Sequence, residues 1–95
     1  MKLPLSFEMT VTQADFLRLL PAAVGGEAFV EETGVFHHRE PQRAWRIEFE
    51  PLPELRIGLI RLERHRVGLA FEGYREPEIE AFMARFELHF RRGGG

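Results

Sequence analysis

The stretch RAWRIEFEPLPELRIGLIRLERHRVGLAFEG, residues 43–73, decides the fold. Its apolar and polar residues alternate with a period of two, the pattern of strands with one buried face. Trp45, Ile47 and Phe49 fall on one side, and Arg46, Glu48 and Glu50 on the other. Pro51-Leu52-Pro53-Glu54 reads as a turn. Leu55, Ile57 and Leu59 then hold one register, and Ile60 and Leu62 the other. That change of parity near Leu59 calls for a bulge, or for burial of both faces. Glu63-Arg64-His65-Arg66 reads as a further turn, with His65 in solvent. Val67, Leu69 and Phe71 form the buried side of a last strand, while Gly68 and Ala70 point the other way. Strands are therefore predicted over 43–50, 55–63 and 66–73.

Upstream, Leu3, Leu5, Phe7, Met9 and Val11 alternate with Pro4, Ser6, Glu8 and Thr10, which predicts a first strand. Pro4 cannot donate to a ladder, so that end belongs at an edge or outside the sheet. Thr12 and Asp15 have capping-box spacing, and Val11 and Phe16 that of a hydrophobic staple. A first helix follows, with Phe16, Leu17, Leu20 and Val24 on one face. Pro21 predicts a kink or a fresh turn, and Gly25-Gly26 a stop. Residues 28–38 read as a weaker second strand with a bulge or bend at Gly34, and Glu40-Pro41-Gln42-Arg43 as a type I turn.

Downstream, Pro77 opens a second helix. Ile79, Phe82, Met83, Phe86 and Phe90 make its apolar stripe. Glu78 and Glu80 near its start, and Arg91 and Arg92 near its end, suit the helix dipole, and Gly93 is its expected stop. The predicted order is β-α-β-β-β-β-α. Short connections between the later strands imply an antiparallel meander. Each helix has one apolar side, so both cover one face. The expectation is an α+β fold: an antiparallel sheet of about five strands with two helices on one face. It forms a single domain over residues 1–92, with a glycine tail at 93–95. The arrangement is similar to the helix-grip and TATA-binding-protein-like architectures, a likeness of fold that transfers no function.

Ninety-five residues without cysteine must be stabilised by packing, and nine Phe supply large rings for it. The formal charge of −2 argues against general affinity for nucleic acid or anionic membrane. Twelve Arg and fourteen Glu suit ion-pair ladders, and a GC-rich coding bias would produce the same skew toward Arg. No apolar stretch approaches the ~20 residues of a membrane span, and the N-terminus does not read as a signal peptide, so the expected location is the cytoplasm of a bacterial-type cell. With one Ser, one Asp and no Asn, the chain offers few groups to orient a base or line an oxyanion site, and no enzyme is expected.

His37-His38 with Glu40 invites a metal reading. Adjacent strand residues point to opposite faces, and no spaced Cys, His or Asp partner stands nearby in sequence, so neither metal nor cofactor is expected. Glu31, Glu32, Glu48 and Glu50 read as partners of cross-strand ion pairs rather than an acid/base couple. Gly68, Ala70, Phe71 and Tyr74 resemble part of the RNP1 signature of RNA-recognition motifs, which would imply RNA stacking on the sheet. Val67, Leu69 and Glu72 depart from it, and no nucleic-acid partner is expected. Arg91-Arg92-Gly93-Gly94-Gly95 resembles the tails of ubiquitin-like and sulfur-carrier proteins, which would imply an activated C-terminal carboxylate.

The sheet face away from the helices is expected to be bare, with Gly58, Gly68 and Ala70 as small residues on it. This favours a non-catalytic protein working through protein contacts, as a homo-oligomer or with another protein. Two alternatives stand beside it. One is an apolar small-molecule module whose pocket is lined by Phe49, Phe71, Phe82 and Phe86. The other is a carrier or modifier acting through its C-terminal glycine.

Overall fold

The computed structural model describes residues 5–94, with side chains described for residues 5–90. The elements are β1 (Leu5–Met9), α1 (Gln13–Ala23), β2 (Val30–Glu32), β3 (Val35–Arg39), β4 (Ala44–Ile57), β5 (Ile60–Glu72) and α2 (Glu76–Gly94). The five strands form one antiparallel sheet in the order β1-β5-β4-β3-β2. The fold class and the order β-α-β-β-β-β-α are those read from the sequence. The strands that fill that order are cut differently.

The segment over 28–38 is a hairpin, not one bent strand. Thr33 and Gly34 both have positive φ, 51° and 80°, as a two-residue type I′ turn requires. Conversely, the expected turns at 51–54 and 63–66 lie inside long strands. β4 and β5 are a single hairpin of 14 and 13 residues that reverses at Gly58-Leu59. Gly58 sits at φ 60° in the first turn position, where a type II′ turn takes glycine. The parity change at Leu59 is therefore the reversal itself. A register shift between Leu52 and Leu55 places the bulge earlier, in β4.

Helix α1 starts as expected: the Thr12 hydroxyl accepts from the Asp15 amide at 3.0 Å. It runs through Pro21 to Ala23 as one helix, so no fresh turn begins there. It ends in a Schellman arrangement, with Gly26 N–H donating to Pro21 O and Gly25 N–H to Ala22 O. Phe16, Leu20 and Val24 are buried, but Leu17 is 45% exposed, and Ala23 takes the place expected for it in the core. Helix α2 opens with the Glu78 carboxylate accepting from the Arg75 amide at 2.8 Å. It continues to Gly94, past the stop expected at Gly93. Leu3, Pro4, Gly95 and the side chains of Arg91 and Arg92 lie outside the described residues.

Both helices lie on the face of Trp45, Ile47, Val67, Leu69 and Phe71. Phe16 of α1 stacks on Phe49 with centroids 3.9 Å apart and on Phe90 of α2 at 5.1 Å. Phe86 meets Phe7, and Phe82 meets Trp45 and Phe71. His65, expected in solvent, is only 5% exposed in mid-β5. Its Nδ1–H donates to Val11 O at 2.9 Å, and its ring stacks on Phe49 at 4.0 Å. Among the described residues no helix covers the opposite face, as expected, and that face is laced with ion pairs. Arg66–Glu50, Arg46–Glu48 and Arg39–Glu72 lie at 3.3, 3.0 and 3.0 Å.

Candidate functional site

Two features stand out from this frame. The first is the distal half of the β4–β5 hairpin. β3 pairs with β4 only as far as Val35↔Glu48, and β1 with β5 only as far as Met9↔His65. Beyond those points the hairpin continues without a paired neighbour among the described residues for about 20 Å, at 3.3 Å per residue. The molecule accordingly measures 48 × 25 × 23 Å.

Cross-strand pairs Leu55↔Leu62, Arg56↔Arg61 and Ile57↔Ile60 sort this arm into two faces. Leu55, Ile57, Ile60 and Leu62 share one, and Arg56 and Arg61 the other. The bulge in β4 brings Leu55 into step with Leu62. The Arg64 guanidinium secures it, donating to Pro53 O at 3.1 Å and to Glu8 at 3.0 Å. Leu55, Ile57, Leu59, Ile60 and Leu62 are 38%, 58%, 103%, 58% and 37% exposed. Five neighbouring aliphatic side chains in water form a patch on the order of 500 Å², at the upper end for a monomer surface.

The second feature is a polar cluster at the other end of the sheet. It joins the α1–β2 loop, β3, the β3–β4 turn and the start of α2. His38 Nδ1 lies 2.6 Å from Ala28 O, and a carbonyl can only accept, so Nδ1 carries the hydrogen. Nε2 then faces two carboxylates, Glu40 Oε2 at 2.8 Å and Glu27 Oε2 at 3.8 Å. The Trp45 indole stacks on the His38 ring and donates Nε1–H to Glu27 Oε1 at 2.8 Å. Arg43 lies 3.8 Å from Glu27, 3.7 Å from Glu40 and 3.5 Å from Glu78, with its guanidinium over the Tyr74 ring.

The hydrogen bond to Glu40 holds the His38 pKa above the ordinary imidazole value, against the effect of burial, and holds Glu40 below the ordinary carboxylate value. Burial, and then the Glu27 charge, push the Tyr74 phenol up. The Tyr74 hydroxyl is buried without a hydrogen-bond partner among the described residues.

The sequence-derived candidates fall differently. His37 and His38 do diverge: His37 meets Glu32 on the bare face, and His38 points to the helix side. Glu27 was missed because it lies eleven positions before His38, across the unrecognised β2–β3 reversal. Gly58 does not share a face with Gly68 and Ala70, because it forms the tip of the arm. Gly68 lies opposite Glu48 and Ser6, and Ala70 opposite Arg46. That surface carries charge rather than an apolar seam. A shallow concavity there is floored by Ala44 and Ala70 and walled by His37, Arg39 and Arg46.

Phe71, Phe82 and Phe86 are brought together, but each is at most 5% exposed and packed ring on ring within the core, with the half-buried Phe49 at its margin. Comparison with protein-family models, curated proteins and solved structures finds no match.

Proposed function

We propose that this is a non-catalytic, cytoplasmic protein that works through protein contacts, and that its β4–β5 arm joins two copies of the chain. The observation that carries this reading is the arm's apolar face, which no element among the described residues covers. A two-fold axis would lay the face of one copy on that of the other. Such an isologous contact needs only one self-complementary patch. Two such patches bury about 1,000 Å² together, the lower bound for a specific interface. Face-to-face packing also leaves Arg56 and Arg61 in water on the outer side.

Edge-to-edge pairing through β4 is disfavoured, since Pro51 and Pro53 remove donors there. The sparse catalytic inventory agrees with this reading. Ser6 lies on the charged face, and Asp15 is bound to Arg18 at 3.0 Å on an exposed helix turn.

Sedimentation velocity across a micromolar concentration series tests the proposal. The native chain is expected to pass from monomer to dimer. Ile57→Glu and Ile60→Glu, which each put a charge into the seam, should hold it monomeric, whereas Arg56→Glu on the outer face should not. A native chain that stays monomeric at high micromolar concentration overturns the proposal. So does a dimer indifferent to both isoleucine substitutions, or a monomer whose arm carries it onto phospholipid vesicles.

A further inference from the structure

We infer that Glu27, His38 and Glu40 form a binding site for a first-row divalent transition metal such as Zn(II). The inference is independent of the arm. One donor atom from each residue lies within 4.8 Å of the other two. They come from three segments, the α1–β2 loop, β3 and the β3–β4 turn, and the fold brings Glu27 to the sequence neighbours His38 and Glu40. Metal-bound histidine almost always donates its second ring N–H to a carbonyl or carboxylate, which fixes the tautomer and aims the free lone pair. His38 has that arrangement: Nδ1–H is spent on Ala28 O and Nε2 faces the carboxylates.

Glu27 is oriented in the same manner. Trp45 Nε1–H holds Oε1 and leaves Oε2 turned to His38. Donors bonded at 2.0–2.1 Å around a tetrahedral ion stand about 3.4 Å apart. The distances of 2.8 and 3.8 Å from Nε2 bracket that value. Glu40 is 40% exposed on a turn, so its side chain can open by the half ångström required. One imidazole nitrogen and two carboxylate oxygens leave a fourth position for water, and this donor set suits Zn(II) better than Mg²⁺ or Ca²⁺, which favour all-oxygen shells.

The orphaned Tyr74 hydroxyl is a second, separate sign. It is buried without a partner among the described residues, and its ring lies under the Arg43 guanidinium that contacts Glu27 and Glu40. A metal-bound water is a partner of the right chemistry. Arg43 is the resident counter-charge, and its contacts with Glu27 and Glu40, at 3.8 and 3.7 Å, are long. Its contact with Glu78 and its seat over Tyr74 give it somewhere to remain when a metal takes the carboxylates. Arginine and metal therefore compete for the same pair of acids.

The test uses the full chain, stripped of metal, and its single tryptophan. Titration with Zn(II) in a calorimeter should give one site per chain and raise the melting temperature. Co(II) should quench Trp45 saturably, and Zn(II) should reverse the quenching. His38→Gln and Glu40→Gln should each weaken binding by at least about tenfold. Arg43→Gln should tighten it, an effect that a purely structural salt bridge would not produce. Because Glu40 lies on a partly exposed turn, Glu40→Gln keeps the test valid should His38→Gln fold poorly, and circular dichroism checks both. Absence of a saturable single site at micromolar Zn(II) overturns the inference. So does binding that survives both the His38 and Glu40 substitutions, or an Arg43→Gln variant that binds more weakly.

Discussion

At the residue scale, Thr33 and His38 each carry a measurable consequence. Thr33 is a β-branched residue at φ 51°, a conformation that type I′ turns reserve for Asn, Asp or Gly. Its side chain is exposed, so the strain has no packing to offset it. Thr33→Asn should therefore stabilise the protein by about 1 kcal/mol in urea denaturation. Gly73 is the opposite case. It has φ 74°, and an added Cβ would collide with the Gln42 carbonyl. Gly73→Ala should destabilise by roughly 2 kcal/mol or more in the same assay, whereas Gly26→Ala, with open space around it, should cost about 1 kcal/mol.

His38 bears on pH. Its pKa is raised in the fold, so its contribution is fully present below the ordinary imidazole value and is lost as pH rises through the raised one. Glu40 is depressed, so its contribution is present above the ordinary carboxylate value and is lost as pH falls through the lowered one. The groups facing His38 are Glu27, Glu40 and, beyond them, Arg43. Without metal, the difference in melting temperature between the native chain and His38→Gln should be largest in mildly acid buffer and shrink as pH rises above neutral. A constant difference from pH 5 to 9 would mean that the imidazolium is not what holds the clasp.

At the element scale, the β4–β5 hairpin has two halves with different support. Val67, Leu69 and Phe71 are at most 5% exposed under the helices, while every residue from Pro53 to Glu63 is exposed. Amide exchange follows local opening, and few buried contacts mean a low opening cost. Under monomeric conditions, the amides of residues 54–62 should exchange orders of magnitude faster than those of 67–71. Equal protection along the hairpin in a proven monomer would contradict the picture of a self-supporting arm.

The same hairpin shows what was legible in the sequence. Alternation identified the faces at Trp45-Ile47-Phe49 and Val67-Leu69-Phe71, because each has one dry side. It misplaced the turns for identifiable reasons. Phe49 N–H donates outward to Gly34 O, so the nitrogen of Pro51, two residues on, also faces outward, past the end of β3. Proline costs nothing on an edge with no neighbour. Glu63-Arg64-His65-Arg66 is polar because Arg64 and Arg66 serve the charged face, while His65 is buried by its bond to Val11 O. The reversal at Gly58-Leu59 sits among aliphatics, so its turn signal was hidden by the side chains that make the arm notable. Of the Glu27–His38–Glu40 cluster, His38 and Glu40 stand together in the sequence, but Glu27 was illegible, since it reaches them only once residues 28–38 fold back as two strands.

At the scale of the whole molecule, stability and association reside in different places. The core is a single layer of aromatic rings between two helices and one sheet face. Phe86 is its centre, fully buried and in contact with Phe7, Phe82 and Phe90. Truncation there leaves a ring-sized cavity in a small domain that has little stability to lose, and Phe86→Ala should cost 3–5 kcal/mol, roughly, by denaturant unfolding. The arm contributes no side chain to that core.

At concentrations where the native chain is monomeric, Ile57→Glu and Ile60→Glu should therefore leave the unfolding free energy within about 0.5 kcal/mol of native. At higher concentrations, the native chain should gain melting temperature with concentration, because a dimer binds the folded state by mass action, and the two variants should not. Loss of the concentration dependence together with an unchanged monomer stability would place self-association in the arm alone. Destabilised monomers would instead mean that the aliphatic face supports the fold, and the arm would cease to be a free surface for docking.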